Sequence, residues 1–505
     1  MALAHLGRLS QAHNALLAGD HRCPTQKRFP TELAGVAFEQ KQYAAAAHWL
    51  RRALRLDPHD PYVNNFIATV DFLSGNLPAA LRYWNRVGKP SIVTLDLDPH
   101  LRIHRLLLDR SFAFSPAAVL LEPQLVTTET RLGALGVFPT YNIQLVALPG
   151  GRFNALFRAQ EQNGFGSSPT AALLSTFAGA PYETLYPSYR NLHRSAMNID
   201  ALLRFDAQKR RAWAALSAPL NGLPQWRWQL SSDLRNENWD IRRSFTGAAP
   251  LLGSLNLERE SASATLTSLA SGAFQWSAGG ELSHRTWRGI YSGSAFTSSL
   301  LTPGFELTQL ASLHARLLDL PQDRFTLTAG ASSGFARVLT TPSPVSEKLQ
   351  GSLLAHWLPG FRGDDGELTQ QFRAGKIYGA VPFDNLFVLG MDRDDTDLRM
   401  RAHIATRDGR KGSSPIGNAY LLSNTDFYRR LCGNGLLAIH VGPLLDIARM
   451  SAPTSGLSAD QWLFDAGLSA RLTVLHTSLV LSYGRDLRSG ANAFWGTAGP
   501  SLPQP

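Results

Sequence analysis

The sequence predicts a mixed, multidomain chain: α-helical repeats, then a small α/β domain, then a transmembrane antiparallel β-barrel of about 16 strands. Three observations predict it. Small and apolar positions recur at a fixed spacing across residues 31–88. Beyond residue 165, segments of strict apolar/polar alternation are separated by Gly, Pro, Asn, Asp and Ser clusters, with almost no helical periodicity. Only 17% of the 505 residues are charged and 42 are glycine, yet no window of about 18 uninterrupted apolar residues offers a helical span. A barrel needs no such window, because its lipid-facing residues alternate with lumen-facing ones and the average stays near neutral. The expected boundaries are 5–90 for the helical repeats, 91–162 for the α/β domain, 163–497 for the barrel and 498–505 for a tail.

In the helical region Leu33, Ala34, Phe38, Ala46, Leu50 and Ala53 recur 34 residues later as Ile67, Ala68, Phe72, Ala80, Trp84 and Val87. The small residues Ala34, Ala46, Ala53, Ala68 and Ala80 fall where two antiparallel helices must approach closely, with Trp84 filling the second unit. Pro58 closes one unit before Asp60-Pro61 opens the next. This pattern resembles a pair of tetratricopeptide repeats (TPR), which implies either a concave docking surface for a peptide or partner protein, or a helical spacer.

Next comes the order strand, helix, helix, strand, strand, assigned to RIHRLLLDRSFAF, PAAVLL, PQLVTTETRLGALGVF, YNIQLVALP and RFNALFRAQEQ. Tyr141, Ile143, Leu145 and Ala147 share one face of a hairpin that turns at Pro149-Gly150-Gly151. Gly136 stops the second helix and Phe138 plugs beneath it. Element order and this Gly-x-Phe ending resemble a polypeptide-transport-associated (POTRA) domain. That resemblance implies an edge strand able to accept a client strand, or a rigid adaptor between repeat and barrel.

The barrel grammar is plainest in QWRWQLSSDL, AFQWSAGGEL and TSLVLSYGRDL, where Trp226, Trp228 and Leu230, then Phe274, Trp276 and Ala278, then Leu479, Leu481 and Tyr483, line one face. Strand starts fall near residues 170, 197, 211, 225, 237, 257, 272, 304, 322, 346, 366, 418, 434, 462, 477 and 491. Between Gly379 and Pro415 runs one long, charged connection, a length that usually serves function.

That connection reads VPFDNLFVLGMDRDDTDLRMRAH, followed by PIGNAYLLSNTDFYRRL, and a later strand reads WLFDAGLSARL. With YRNLHRSAMNIDALLRF near the barrel start and LVLSYGRDL near its end, these segments resemble the bacterial surface antigen or outer-membrane protein-assembly (BamA-like) superfamily over roughly residues 102–497. In that superfamily a loop folds back into the barrel, and its tip arginine pairs with an acid on the inner wall. By position the resemblance assigns Arg399 as the tip arginine and Asp465 as the wall acid, with Leu398, Phe464 and Gly467 completing the loop and wall motifs. A buried charge in a narrow lumen demands such a partner. Met400 and Arg401 follow Arg399 where the superfamily places glycine and an aromatic.

Other signals carry less chemistry. Gly330-Ala331-Ser332-Ser333-Gly334 matches a nucleophile elbow, but no helical pattern follows it, so no enzyme is expected. Asp392, Asp394, Asp395 and Asp397 lack the Gly and closing Glu of a calcium loop, and His100 and His104 have no third ligand in view. Cys23 and Cys432 lie in different expected domains and read as unpaired thiols; no cofactor or metal is expected. The net charge of +10 sets no partner, and without basic runs interleaved with aromatics no nucleic acid is expected. MALAHLGRLSQAHNALLAGD is not a secretory signal, which leaves a cytoplasmic chain or a start upstream of Met1.

The expectation is an outer-membrane barrel that assists insertion or translocation of polypeptides, with its N-terminal parts in the periplasm. Its partners would be unfolded outer-membrane or secreted polypeptides, periplasmic proteins at the TPR surface, and outer-membrane lipid. A passive channel or secretion pore, and a soluble TPR scaffold, are the alternatives.

Overall fold

The computed structural model describes residues 2–500, apart from 167–171, 174, 175, 178, 181, 182, 243–250, 293–299, 362, 364, 391–397, 434–436, 452–459, 475 and 476. At the front, the helices Arg28–Glu39, Tyr43–Leu56, Pro61–Leu73 and Leu77–Trp84 pack in sequence, each on the next. Their starts are written locally. The Asp60 carboxylate accepts from the backbone N–H of Tyr62 (2.8 Å) and Val63 (3.0 Å), with Pro61 in the first turn, and Asn76 accepts from Ala79 N–H at 3.2 Å. Ala34, Ala46, Ala53, Ala68 and Ala80 are all fully buried, and Trp84 nearly so, since a larger side chain at the alanine positions would push the helices apart.

The α/β part has the expected order but not the expected first elements. Its first strand is Ser91–Leu97, while residues assigned to that strand form the helix Arg105–Ser111, and PAAVLL is not helical. Leu107 and Leu108 are buried on one side of this short helix, a pattern too brief to separate from a strand by periodicity. The helix Glu122–Leu135 and the strands Thr140–Leu148 and Arg152–Gln160 follow, and Arg152–Gln160 takes the centre of the sheet, parallel to Ser91–Leu97 and antiparallel to Thr140–Leu148. Gly136 ends its helix at φ +67°, and a Cβ there would lie 2.8 Å from the Asn198 amide nitrogen, which donates to Leu135 O at 2.7 Å. Phe138 packs edge-on against the buried Phe157. The helices and this sheet share one continuous core in which Phe153 meets Phe72 and Trp84.

Among the described residues, the remainder is one large, almost wholly antiparallel sheet of 18 strands curled into a barrel. Fourteen of these are long, from Met197–Phe205 to Asn492–Pro500, two are short segments at Thr184–Leu185 and Ser188–Leu192, and two lie in the long connection. Two differences from the sequence reading have simple causes. The starts placed near 225 and 237 belong to one 20-residue strand, Leu223–Arg242, whose charged Asp233, Arg235 and Glu237 face inward instead of marking a turn. The final strand reaches Pro500, so the expected tail begins later, and residue 170 lies outside the described residues.

Alternation sorts the side chains. Leu230, Leu282, Leu307, Leu349, Leu353, Phe372, Leu468 and Leu481 are exposed on the outer face, while Ser263, Ser277, Ser312 and Arg259 point inward. Trp276 and Trp357 sit on the outer face near the α/β part and Phe305 and Tyr378 near the opposite end, exposed aromatics toward both ends of the outer apolar surface. The N-terminal parts rest on barrel turns: Asn76 donates to Pro321 O (2.8 Å), Arg82 to Asp319 O (2.8 Å) and Arg131 to Leu269 O (3.2 Å).

Two N-terminal carboxyls are out of their usual range. Burial pushes both Asp71 and Glu129 up to about 7. Between roughly pH 4 and 7 the folded arm therefore holds protons that the unfolded arm has released, so its stability falls as pH rises through that window and levels off above it. The thermal midpoint of the helical signal at 222 nm is expected to drop from pH 5 to pH 7.5, and the variant carrying Asp71→Asn with Glu129→Gln to lose most of that dependence.

Candidate functional site

The connection between the strands Gly366–Gly379 and Ala419–Gly433 turns back into the barrel. Phe383, Leu386, Phe387, Leu389, Leu398, Met400 and Ile416 are buried there against the wall residues Trp239, Ile241, Leu252, Leu255, Leu257, Tyr420 and Leu422, forming an apolar core inside the barrel. Within the connection, Phe387–Val388 pairs with Ile416–Gly417, and Thr406–Arg407 with Arg410–Lys411.

Three sets of charges pin this plug. At its tip, the buried Arg401 grips Asp446: Nε donates to Oδ2 at 2.9 Å, Nη2 to Oδ1 at 2.5 Å, and the Arg401 backbone N–H to Oδ2 at 2.9 Å. Its Nη1 bonds Asp426. The next backbone N–H, of Ala402, donates to Asp465 Oδ2 at 2.6 Å, and His403 Nδ1 stands 3.1 Å from that same oxygen. These acids are ordered by strand register: Asn424, Asp446, Asp465 and Asp486 oppose one another across four consecutive strands. Like charges directly opposite destabilise a sheet, so the row depends on the cation and the N–H groups that the loop brings to it.

At the start of the connection the polarity reverses. Asp384 reaches Arg285 Nε at 3.1 Å and Arg259 Nε at 3.3 Å on the wall, and Arg285 in turn holds Glu306 at 2.8 Å. Asn385 donates to Glu306 at 2.8 Å. At the far end Lys411 meets Glu237 at 3.0 Å and Arg410 meets Asp240 at 3.1 Å. The plug is thereby tied to opposite sides of the lumen.

The pairing expected from resemblance is corrected in its residues. Arg399 is exposed and, among the described residues, it is engaged through its carbonyl, which accepts from Asn424 Nδ2 at 2.9 Å; Arg401 occupies the buried position and its acids are Asp446 and Asp426. Backbone direction explains the shift: Leu398 and Met400 turn into the apolar core, leaving Arg399 toward solvent, and the chain reverses after Met400, where His403 N–H bonds Met400 O at 3.0 Å. Asp465 does face the loop, but it receives Ala402 and His403. Phe464 is on the outer face. Gly467 pairs with Gly484, and close approach forbids a side chain at either: a Cβ on Gly467 would lie 1.8 Å from Tyr483 O, and one on Gly484 would lie 2.7 Å from the Arg401 carbonyl carbon.

Sequence reasoning missed His403, Asp426, Asp446, Asp486, Asp384, Arg285 and Lys411. A usable signal existed for two of these wall acids, since LLDIARM and SYGRDL, like the LFDAGL of Asp465, each place an Asp at an inward position of an otherwise mostly apolar strand. Among the other candidates, Ser332 lies mid-strand opposite Ser312 instead of at a strand-to-helix turn, and His100 sits in a turn while His104 precedes a helix, so they share no helix face. Cys23 and Cys432 are unpaired, and Asp392, Asp394, Asp395 and Asp397 lie outside the described residues.

No protein-family model and no curated protein matches the chain. Among solved structures, CdiB from Escherichia coli is similar over 82% of this chain and 75% of its own, at 12% identity and a TM-score of 0.50. CdiB from Acinetobacter baumannii is similar over 81% and 73% at 11% identity and a TM-score of 0.46. BamA from Haemophilus ducreyi lacking POTRA domains 1–3 is similar over 81% and 84% at 12% identity and a TM-score of 0.43. The chain shares the barrel fold of CdiB from Escherichia coli.

Removing the guanidinium strands buried carboxylates, a loss of about 3–5 kcal/mol for a broken buried pair. Arg401→Ala is therefore expected to lower the urea midpoint of the detergent-solubilised chain strongly and to expose the plug to protease. Arg399→Ala, changing a solvent-facing side chain, is expected to stay within about 0.5 kcal/mol of the parent.

Proposed function

We propose that this chain is an outer-membrane barrel that inserts or translocates other polypeptides, with the helical repeats and the α/β part in the periplasm. The observation that carries the reading is the plug: a connection folded back into the lumen and locked to several wall strands by Arg401, Asp384 and Lys411. A passive channel needs a lumen open at rest, and here an apolar core fills the end distant from the α/β part. Filling of that kind suits a barrel whose traffic is gated, either by release of the plug or by separation of its first and last strands.

The periplasmic parts fit client capture. In the α/β part, read as POTRA-like, Thr140–Leu148 is an edge strand paired only with Arg152–Gln160 among the described residues, which leaves a row of backbone groups for an incoming strand. The TPR-like helices give an arm held against barrel turns, placing any protein they bind at the mouth. The outer belt of leucine and aromatic side chains argues against a soluble scaffold, because a surface this apolar and continuous would drive aggregation in water.

The test is reconstitution. The full chain in lipid vesicles should raise the yield of a urea-unfolded β-barrel polypeptide that becomes membrane-inserted, scored by its gel mobility with and without boiling. Yield equal to that of empty vesicles, together with a steady conductance in planar bilayers, would instead favour a passive pore.

A further inference from the structure

Next to the Arg401 lock lies a second cluster with different chemistry. His403, Asp465 and Asp486 are all buried, at 2%, 0% and 2% exposure, and present ligand atoms within 4.8 Å of one another. Each is a metal-ligand type. His403 Nδ1 is 3.1 Å from Asp465 Oδ2, and Nε2 is 3.8 Å from Asp486 Oδ2, too far for a hydrogen bond. Two donors each about 2.1 Å from a shared ion stand roughly 3–4 Å apart, so either ring nitrogen, though not both at once, is spaced to share one ion with its neighbouring carboxylate, and one atom from each of the three residues lies within 4.8 Å of the others.

The charge balance points the same way. Asp426, Asp446, Asp465 and Asp486 face the loop tip, and Arg401 is the guanidinium that meets them; it is engaged by Asp446 and Asp426. Asp465 and Asp486 are left with the His403 ring and backbone or hydroxyl donors: Ala402 N–H on Asp465, Arg488 N–H and the Ser489 hydroxyl on Asp486. Asp465 Oδ1 is buried and takes no hydrogen bond among the described residues. A buried carboxylate oxygen without a donor is costly unless something cationic reaches it.

We infer that His403, Asp465 and Asp486 form a binding site for one divalent cation of zinc type. One imidazole nitrogen and two carboxylate oxygens make three protein ligands for zinc. The donors on Asp486 would orient that carboxylate in the manner usual around metal ligands. Such an ion ties a plug residue to two wall strands, Trp462–Val474 and Thr477–Asp486, the second of which pairs with the last strand of the barrel. The assignment stands on the cluster and not on what the barrel transports.

The experiment uses the full chain, purified in detergent without a histidine tag and stripped with chelator, then loaded with Zn²⁺ or Co²⁺ and dialysed. Expected are about one zinc per chain by elemental analysis and visible Co²⁺ absorption of a low-coordinate nitrogen/oxygen site. His403→Gln and Asp486→Asn, each checked for unchanged heat-modifiable mobility, should weaken binding at least about tenfold. Absence of both stoichiometric zinc and a Co²⁺ spectrum in the parent overturns the proposal. So does binding of equal strength in the folded variants, which would place the ion elsewhere.

Discussion

A charge inside a barrel has nowhere to go. Water in a filled lumen is scarce, the surrounding wall is protein backed by an apolar belt, and an ion without a partner costs several kcal/mol. Arg401 and the row Asp446, Asp465 and Asp486 answer one another under this constraint: the wall cannot hold three opposed carboxylates without the loop, and the loop cannot bury a guanidinium without the wall. Much of the upper barrel follows from that mutual need, including Gly484, where only hydrogen leaves space for the loop backbone.

The same constraint is met with opposite sign where the connection enters and with the same sign where it leaves. Where the connection enters, the wall supplies Arg259 and Arg285 and the loop supplies Asp384; where it leaves, the loop supplies Lys411 and the wall Glu237. The reversed polarity of the entering anchor bars Asp384 from the acidic wall that holds Arg401 and Lys411, and so helps set where the connection lies. Between the anchors, Phe383, Phe387, Leu389 and Met400 exclude water, which strengthens every ion pair around them.

At the other end the organisation is apolar. Phe153 touches both Phe72 and Trp84, so the helical repeats and the α/β sheet are welded through one core instead of hinged. Their attachment to the barrel combines hydrogen bonds to turn carbonyls at Leu269, Asp319 and Pro321 with apolar contacts of Ala196 and Phe361. The hydrogen bonds are directional and individually modest. The arm is thus one packed unit seated on mixed polar and apolar contacts.

How much of this was legible differs by scale. Periodicity alone sufficed for the helices around Ala34, Ala46, Ala68 and Ala80 and for the alternating strands, because burial repeats every turn or every second residue and leaves its mark on the chain. Gly136 announced its own helix end by the same local logic. What the sequence could not decide was which arginine enters the lumen, since Arg399 and Arg401 are two residues apart in a segment without regular period; the choice fell to the apolar seats taken by Leu398 and Met400 and to the reversal after them. Nor could it bring Asp446, Asp465 and Asp486 into one row, which depends on strand register across two hairpins. Local propensity is written in neighbouring residues, whereas the meeting of His403 with Asp465 and Asp486, more than sixty residues away, exists only once the barrel is curled and the loop lies inside it.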